Sequence, residues 1–526
     1  MKYIIVTGGV ISSIGKGITA SSVAYLLQSS GFKVNIIKID PYLNIDAGTM
    51  SPFEHGECYV LDDGSETDLD LGNYERFLNT NLTSHNIITT GKVYQSVISK
   101  ERTGYYLGKT VQVVPHIIDE IIHFIHQAGQ HEICIIELGG TIGDIESQPF
   151  IEAIRQLKYN DDDTSNFCFI HVGLVPCIGD KLEPKTKPIQ NSVKSLRNYG
   201  INPDIICLRC QNDIDTNTKN KISMFCQVKP ECIIVNKNVP NIYHVPILFN
   251  QQNMVEIILK KLNLQTNLSP KIEIFNHITN FLSENKKPHL IGIVGKYTDI
   301  DDTYLSIVRA LEHASYYTRR RFKICWIDSD DNDISSVVSK LDGVIIPGGF
   351  GERGIIGMIK CIQFCRENNI PILGICLGMQ LMVIEICQNI LKINTNSEEF
   401  DSQMPNPCII FMPETSKNIM GGTMRLGNKT TIVKPDSLAY RLYNSQEIYE
   451  RHRHRYEVNL QYQEQIEKEG FIFSGMNEIK TRMEILESTN HDYFLGCQFH
   501  PEFKSRMETP HPLFIGFLNS MSILDL

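Results

Sequence analysis

The feature that most constrains this chain is a rhythm that occurs twice: short apolar, β-prone runs separated by glycine turns and helical stretches. In the first half the runs are residues 3–7, Val34–Ile39, Ile133–Leu138, Phe167–Val172, Asp204–Leu208 and Cys232–Val235, with helical patterns such as Val114–Gln127 between them. In the second half they are His289–Val294, Ile324–Asp328, Gly343–Pro347, Ile372–Cys376 and Phe494–Phe499. Continuous apolar runs of this length suit strands buried on both faces. The predicted fold class is therefore α/β, with two doubly wound, mostly parallel sheets. Between the two series, Leu264–Pro270 is polar and turn-prone and Asn285–Pro288 reads as a linker end. The predicted division is 1–265, a linker over 266–287, and 288–526, which suits two large domains in 526 residues.

Composition narrows the function. Hydrophobic residues at 42% and charged residues at 21% are those of a globular chain with ample core material. The net charge of −10 argues against a dedicated nucleic-acid binder, which is usually basic. The 15 cysteines are scattered, odd in number and without a zinc-type pair, which predicts free thiols in a reducing, cytoplasmic setting. No signal peptide or membrane span is visible, and the opening Met1–Gly9 breaks into glycines too soon to be either.

In the second half, Gly374-Ile-Cys376-Leu-Gly378 follows an apolar strand and precedes a helical pattern, Met379–Cys387. That is the frame of a nucleophile elbow with cysteine in the serine position. The glycines permit a tight turn, and the helix N-terminus favours the thiolate. His500, in Gln498-Phe-His-Pro-Glu502, also follows a strand and could take the thiol proton, with Glu502 orienting the imidazole. Pro347-Gly-Gly-Phe-Gly351 offers main-chain N–H groups which, with that of Leu377, could hold an oxyanion.

In the first half, Gly8–Gly17 lies between strand and helix and carries Ser12, Ser13, Ile14, Gly15 and Lys16. It is close to a P-loop without matching the strict pattern, since Gly17 replaces the usual Ser/Thr after the lysine. Exposed N–H groups and Lys16 would still face phosphate oxygens. Magnesium on ATP asks for a few hard oxygen ligands. Asp70 and the strand-ending Glu137 are the candidates, with Asp68 a neighbouring competitor.

The elbow, the histidine segment and the glycine loop together resemble a class I glutamine amidotransferase domain over residues 288–526. That family has a flavodoxin-like fold and hydrolyses the glutamine amide through a thioester, here on Cys376. By motif position, Gly349, Leu377, Gly378, Met379, Gln380, Glu399 and Arg455 would hold L-glutamine. Apart from the resemblance, Glu450–Glu457 reads as a solvated charged loop.

Lys38–Asn44, Gly48–Pro52, His55–Glu57, Thr110–His116 and Gly139–Glu146 resemble the synthetase domain of the CTP synthase family, a P-loop-type, dethiobiotin-synthetase-like fold. The resemblance implies phosphorylation of the uracil 4-oxygen of UTP by ATP, then displacement of phosphate by ammonia to give CTP. Ammonia is largely protonated in neutral water, so delivery through a tunnel is implied too.

Ser12 would touch UTP or CTP phosphates, and Ser13, Ile14, Gly15, Lys16, Gly17 and Ile18 would cradle ATP. Asp70 and Glu137 would hold Mg²⁺, and Lys38 would stand beside the transferring phosphoryl group. Asp144, Ile145 and Glu146 match the loop for the CTP base. Lys185, Thr186, Lys187, Pro188, Ile189, Gln190 and Lys221 match the positions for the UTP and CTP triphosphate. Lys237, Asn238 and Val239 match the adenine segment, although the family usually has aspartate at the middle position.

GTP activation, a lid at Glu352–Gly354 and a homotetramer are implied as well, with small-molecule partners and neither nucleic acid nor membrane. Leu305 stands where many members carry lysine near the GTP site, and residues 408–420 form a shortened stretch. A cobyrinic-acid-amidase type of enzyme would share the phosphate loop and the elbow but not Lys185–Gln190 or Gly140–Glu146. A degenerate filament-forming copy would not need Cys376, His500 and Glu502 intact.

Overall fold

In the computed structural model the described residues are 1–129, 131–179, 183–284, 286–296, 301–331, 333–414 and 421–521. Asn285, at the expected linker end, and residues 415–420 of the shortened stretch lie outside them. The chain divides into two compact units, one of Met1–Asp46 with Asn73–Ser283, the other of Ala47–Gly72 with Glu284–Leu526.

Among the described residues the main sheet of the first unit has seven strands: β1 (Lys2–Gly8), β2 (Val34–Asp40), β3 (Ile87–Thr89), β4 (Ile133–Leu138), β5 (Phe167–Val175), β6 (Ile205–Cys210) and β7 (Ile233–Lys237). They lie in the order β7-β6-β5-β1-β4-β2-β3, and every pairing is parallel. The chain winds outward to β3, returns to β4 beside β1, then continues on the other side with β5. The end of β1 is thus a switch point, where crossovers diverge and leave a crevice for a ligand. Both sheet faces are covered, which accounts for the unbroken apolar strands. Tyr3 and Ile5 join one core cluster, while Ile4 and Val6 on the opposite face are fully buried as well.

Two expectations shift here. Over Val114–Gln127 the regular helix occupies only Ile118–Gln127, because a π-helical turn with an extended Val114 precedes it. The stretch expected as a linker contains the helix Glu273–Ser283. Its buried Phe275 meets the rings of Tyr25, Phe77 and Tyr243 at centroid distances of 4.7, 5.9 and 6.2 Å. Burying Phe275, Ile278 and Phe281 on one face stabilises a helix that local propensity alone leaves marginal.

The second unit contains β8 (His289–Gly295), β9 (Phe322–Asp328), β10 (Gly343–Ile346), β11 (Ile372–Ile375), β12 (Arg425–Val433), β13 (Glu447–His454), β14 (Phe471–Met476), β15 (Met483–Ser488) and β16 (Phe494–Cys497). The order is β9-β8-β10-β11-β16-β15-β14-β12-β13, parallel as far as β16 and antiparallel beyond it. Successive residues serve opposite cores, with Val344 and Ile346 on one side and Ile345 on the other. Glu450–Glu457, read from its residues as a solvated loop, is largely strand, with Arg451 and His452 fully buried. It can be buried because its charges find partners, described below.

All fifteen cysteines are free thiols. Among the described residues, no helix is long and apolar enough to cross a membrane.

Candidate active sites

In the second unit the sheet itself assembles a site. β10, β11 and β16 are parallel neighbours, with Ile346 opposite Gly374 and Ile375 opposite Cys497. Their C-terminal ends lead into Pro347–Gly351, Cys376 and Gln498–Glu502. Three segments far apart in sequence meet because their strands end side by side.

Cys376 joins β11 to the helix α1 (Leu377–Glu385) at φ 52°, ψ −99°, a strained conformation for a residue with a Cβ. The flanking glycines are sterically required. A Cβ on Gly374 would fall 2.8 Å from the Gly378 carbonyl carbon, and one on Gly378 would fall 2.2 Å from the Ile346 oxygen. The Cys376 Sγ lies 3.7 Å from the Arg453 carbonyl oxygen and 3.6 Å from Gln498 Nε2.

His500 Nδ1 is 2.7 Å from Glu502 Oε1, and its ring stacks on Phe503 at 5.0 Å. Burial alone would keep this imidazole neutral. The Glu502 carboxylate and the Cys376 sulfur outweigh burial and push His500 up to about 10. The ring is therefore held as imidazolium at neutral pH, beside the Cys376 sulfur.

The glycine loop closes over the pair. A Cβ on Gly348 would lie 2.9 Å from His500 Cε1 and 3.5 Å from Cys376 Cβ, and one on Gly349 would lie 3.4 Å from Leu377 Cδ2. The loop's main chain is thereby brought beside the sulfur. Lys296, missed from the sequence, donates to the Phe350 carbonyl at 3.0 Å and also to that of Gly351. Burial depresses it to about 8, against the opposing pull of Glu399. Glu399 accepts the Gly351 N–H at 2.7 Å, and burial raises its carboxyl.

A cavity of about 580 Å³ opens on Cys376, His500, Gly349 and Arg455, with Gly48 and Cys58 of the 47–72 segment also in its wall. Of the expected glutamine contacts, Gly349 and Arg455 line this space, and Arg455 also donates to Thr423 Oγ1 at 3.0 Å. Glu399 reaches the loop through Gly351. Gln380 is buried, bonded to the Tyr456 carbonyl at 3.1 Å and to Gln498 Oε1 at 3.2 Å. Met379 is fully buried and packs against Gly496.

In the first unit, the loop after β1 leads into the helix Lys16–Ser29, with Ser13 at φ 52° and Gly15 at φ 93°. Ser12 and Ser13 are exposed. Lys16 folds back across Gly8 and donates to the Gly140 carbonyl at 2.6 Å. Gly9 leaves room for Ser192, whose Oγ would be 1.6 Å from a Cβ there. Ser192 bonds His171 Nε2 at 2.7 Å, and Thr7 bonds the other ring nitrogen at 2.9 Å. Burial, helped by the Lys16 charge, lowers His171 to about 3 and keeps it neutral.

Lys38 pairs with Glu137 Oε1 at 3.0 Å and lies 3.7 Å from Asp40 Oδ1. Tyr74 donates to the other oxygen of Glu137. Two buried carboxylates beside one lysine offer hard oxygen atoms, the kind of donor that fits a magnesium ion. Among the described residues no cluster of three or more metal-ligating side chains occurs. Asp70 stands in the first turn of the helix Leu69–Leu78, and its start belongs to the 47–72 segment.

Asp144 accepts the Thr141 N–H at 2.8 Å, while Ile145 and Glu146 project outward. Lys185 pairs with Glu183 at 2.7 Å. Thr186 and Gln190 bond each other at 3.0 Å across the start of the helix Lys187–Asn198, whose second residue is Pro188. Ile189 is fully buried, so only its main chain could meet a ligand. Lys221 is exposed on the helix Thr216–Cys226. Lys237 pairs with Asp213 at 2.5 Å, and Asn238 accepts from Arg209 at 3.0 Å, with Val239 next in the chain.

Comparison with known proteins matches both halves. The family model described as CTP synthase N-terminus matches residues 2–264, and that described as glutamine amidotransferase class-I matches 299–520. A CTP synthase of Dictyostelium discoideum is 48% identical, with 99% of each chain covered. A CTP synthase of Archaeoglobus fulgidus is 48% identical over 99% of this chain and 98% of the relative. A solved structure of the Trypanosoma brucei CTPS glutaminase domain with bound acivicin is 35% identical, covering 44% of this chain and 93% of that one, with a TM-score of 0.42. Since the similarity runs from end to end and takes in both halves in order, the chain belongs to the CTP synthase family.

Proposed function

We propose that this chain aminates UTP to CTP, using ATP and ammonia released from L-glutamine. The observation that carries the reading is the set Cys376, His500 and Glu502 held at adjoining strand ends within a family that makes CTP. The thiolate of Cys376 attacks the carboxamide carbon of glutamine. The oxyanion is held by main-chain N–H groups of the Gly349 loop and Leu377. The proton on His500 Nε2 passes to the leaving nitrogen, which departs as ammonia and leaves a thioester. Water, deprotonated by His500, then attacks that carbonyl, and glutamate leaves with the thiol restored.

In the first unit the loop Ser13–Ile18 and Lys16 hold ATP, and Ser12, Lys185–Gln190 and Lys221 hold the UTP or CTP triphosphate. The γ-phosphoryl group moves to the uracil 4-oxygen, beside Lys38. Ammonia then adds at that carbon and phosphate leaves. Asp70 and Glu137 would hold Mg²⁺, whose charge, when bound, offsets that of the ATP phosphates. Lys237–Val239 take the adenine, Asp144–Glu146 the base of inhibitory CTP, and Glu399, Gln380 and Arg455 the glutamine. GTP activation, a homotetramer and a cytoplasmic setting belong to the same proposal and rest on the family. The net charge of −10 supports small-molecule partners over nucleic acid.

The test is incubation with UTP, ATP, Mg²⁺ and glutamine, followed by separation of nucleotides. CTP must form, and glutamate must accumulate in step with it. Absence of CTP with both glutamine and ammonium salts would defeat the proposal.

A further inference from the structure

Strand β13 touches the glutaminase pair through its backbone and a distant hairpin through its side chains. The Arg451 carbonyl accepts the His500 N–H at 2.8 Å, and the Arg453 carbonyl faces the Cys376 sulfur at 3.7 Å. Residues two apart on a strand share a face, and the side chains of Arg451 and Arg453 both reach into the 47–72 segment.

That segment forms a small hairpin, with Tyr59–Val60 antiparallel to Glu66–Thr67. Arg451, fully buried, pairs with Asp62 at 2.5 Å and donates to the Tyr59 hydroxyl at 3.0 Å and the Val60 carbonyl at 3.1 Å. Arg453 pairs with Glu66 at 2.8 Å, and its guanidinium lies 5.2 Å from the Phe350 ring, in the loop that supplies oxyanion donors. Tyr59 donates to the Phe503 carbonyl at 2.7 Å, and Phe503 is the ring on which His500 stacks. The hairpin is seated closely, since a Cβ on Gly427 would fall 2.6 Å from the Gly64 nitrogen.

We infer that this hairpin positions the thiol and imidazole, acting through Arg451, Arg453 and Phe503, and that Asp62, Glu66 and Tyr59 are positioning residues for glutamine hydrolysis. The inference rests on the proposal that Cys376 and His500 hydrolyse glutamine. The two β13 carbonyls and the Phe503 ring that meet the pair all belong to residues bonded to the hairpin. Loosening an anchor moves the carbonyls of residues 451 and 453, or the Phe503 ring, and with them the attack geometry.

The experiment uses the full chain with Glu66→Gln or Tyr59→Phe, which keep size and fold. Glutamine hydrolysis is measured as kcat and KM, beside CTP formation from free ammonia and the Tm. We expect kcat to fall roughly 10- to 100-fold in Glu66→Gln and less in Tyr59→Phe, the scale set by displacements of about 1 Å. KM for glutamine and the ammonia reaction should hold, while Tm falls in both variants because each gives up a buried polar contact. An unchanged kcat in both variants overturns the inference. So does an equal loss of the ammonia reaction measured below the lowered Tm, which would make the hairpin merely structural. Cys376→Ala, run alongside, separates the two levels: if it still hydrolyses glutamine, the functional proposal itself fails. If it is dead while Glu66→Gln is fully active, only the positioning role fails.

Discussion

The two candidate sites are built in different ways. In the second unit the groups proposed to react belong to the protein and stand in contact before any ligand arrives: a strained cysteine, a charged histidine and a loop pinned by Lys296 and Glu399. In the first unit the groups proposed to react belong to the nucleotides. There the loop Ser12–Ser13 is exposed, while the charged side chains are engaged with protein, Lys16 with a carbonyl, Lys38 with Glu137 and Lys185 with Glu183. Covalent catalysis needs its nucleophile aimed in advance. Phosphoryl transfer needs charges that can be exchanged for those of incoming phosphates.

The comparison breaks most sharply at Cys376. Cys376→Ala should lower glutamine-driven CTP formation by roughly 10⁴-fold or more, while synthesis from ammonium salts stays within about twofold. Parallel loss of both would deny the sites their independence. The converse is Lys16→Ala, which should reduce CTP formation from either nitrogen source by roughly 10²- to 10³-fold, the scale of one lost charge-stabilising donor. Glutamine hydrolysis measured without nucleotides should be spared, and an unaltered CTP yield would remove Lys16 from the phosphate site.

The buried histidines sharpen the contrast through pH. An unfolded histidine titrates near 6.5. His500 is raised to about 10, so its contribution to stability is complete below about 6.5 and is lost as pH rises towards 10. His171 is lowered to about 3, so its contribution is present above about 6.5 and is lost as pH falls towards 3. Thermal denaturation across pH should show His500→Gln closing on the parent at the alkaline end and His171→Asn at the acid end. Each effect should be on the order of a few kcal/mol. The same slope for both would refute the assigned protonation states. The smallest effect concerns Leu305, first residue of the helix Leu305–Thr318. Leu305→Lys should strengthen GTP activation by roughly two- to fivefold, the worth of one exposed charge pair, as read from glutaminase rates against GTP concentration.

What was legible in the sequence is what is encoded locally. The parallel strands announce themselves as apolar runs, and the elbow is a pentapeptide whose glycines have one steric explanation each. The meeting of Cys376 with His500 could be read from two strand ends, though their adjacency became visible only through the pairing of β11 with β16. The Arg-His-Arg-His run of β13 could not be read as buried strand, because it has no apolar face. It is stable inside only with Asp62 and Glu66 opposite two of its arginines and Arg425 beside His452 at 2.9 Å. Nor does any local signal assign residues 47–72 to the second unit. The helix Glu273–Ser283 did carry one, the spacing of Phe275, Ile278 and Phe281, which the polar flanks obscured.

Because Asp62 and Arg451 are 389 positions apart, the ribosome makes one long before the other. At about 5–20 residues per second, the acidic hairpin waits roughly 20–80 s for the strand that will complete it. A growing polypeptide must therefore leave this early stretch unsettled while the β1–β7 sheet, encoded before and after it in the chain, forms. The second unit therefore cannot complete its sheet, or bring Cys376 and His500 together, until β13 and then β16 have been made.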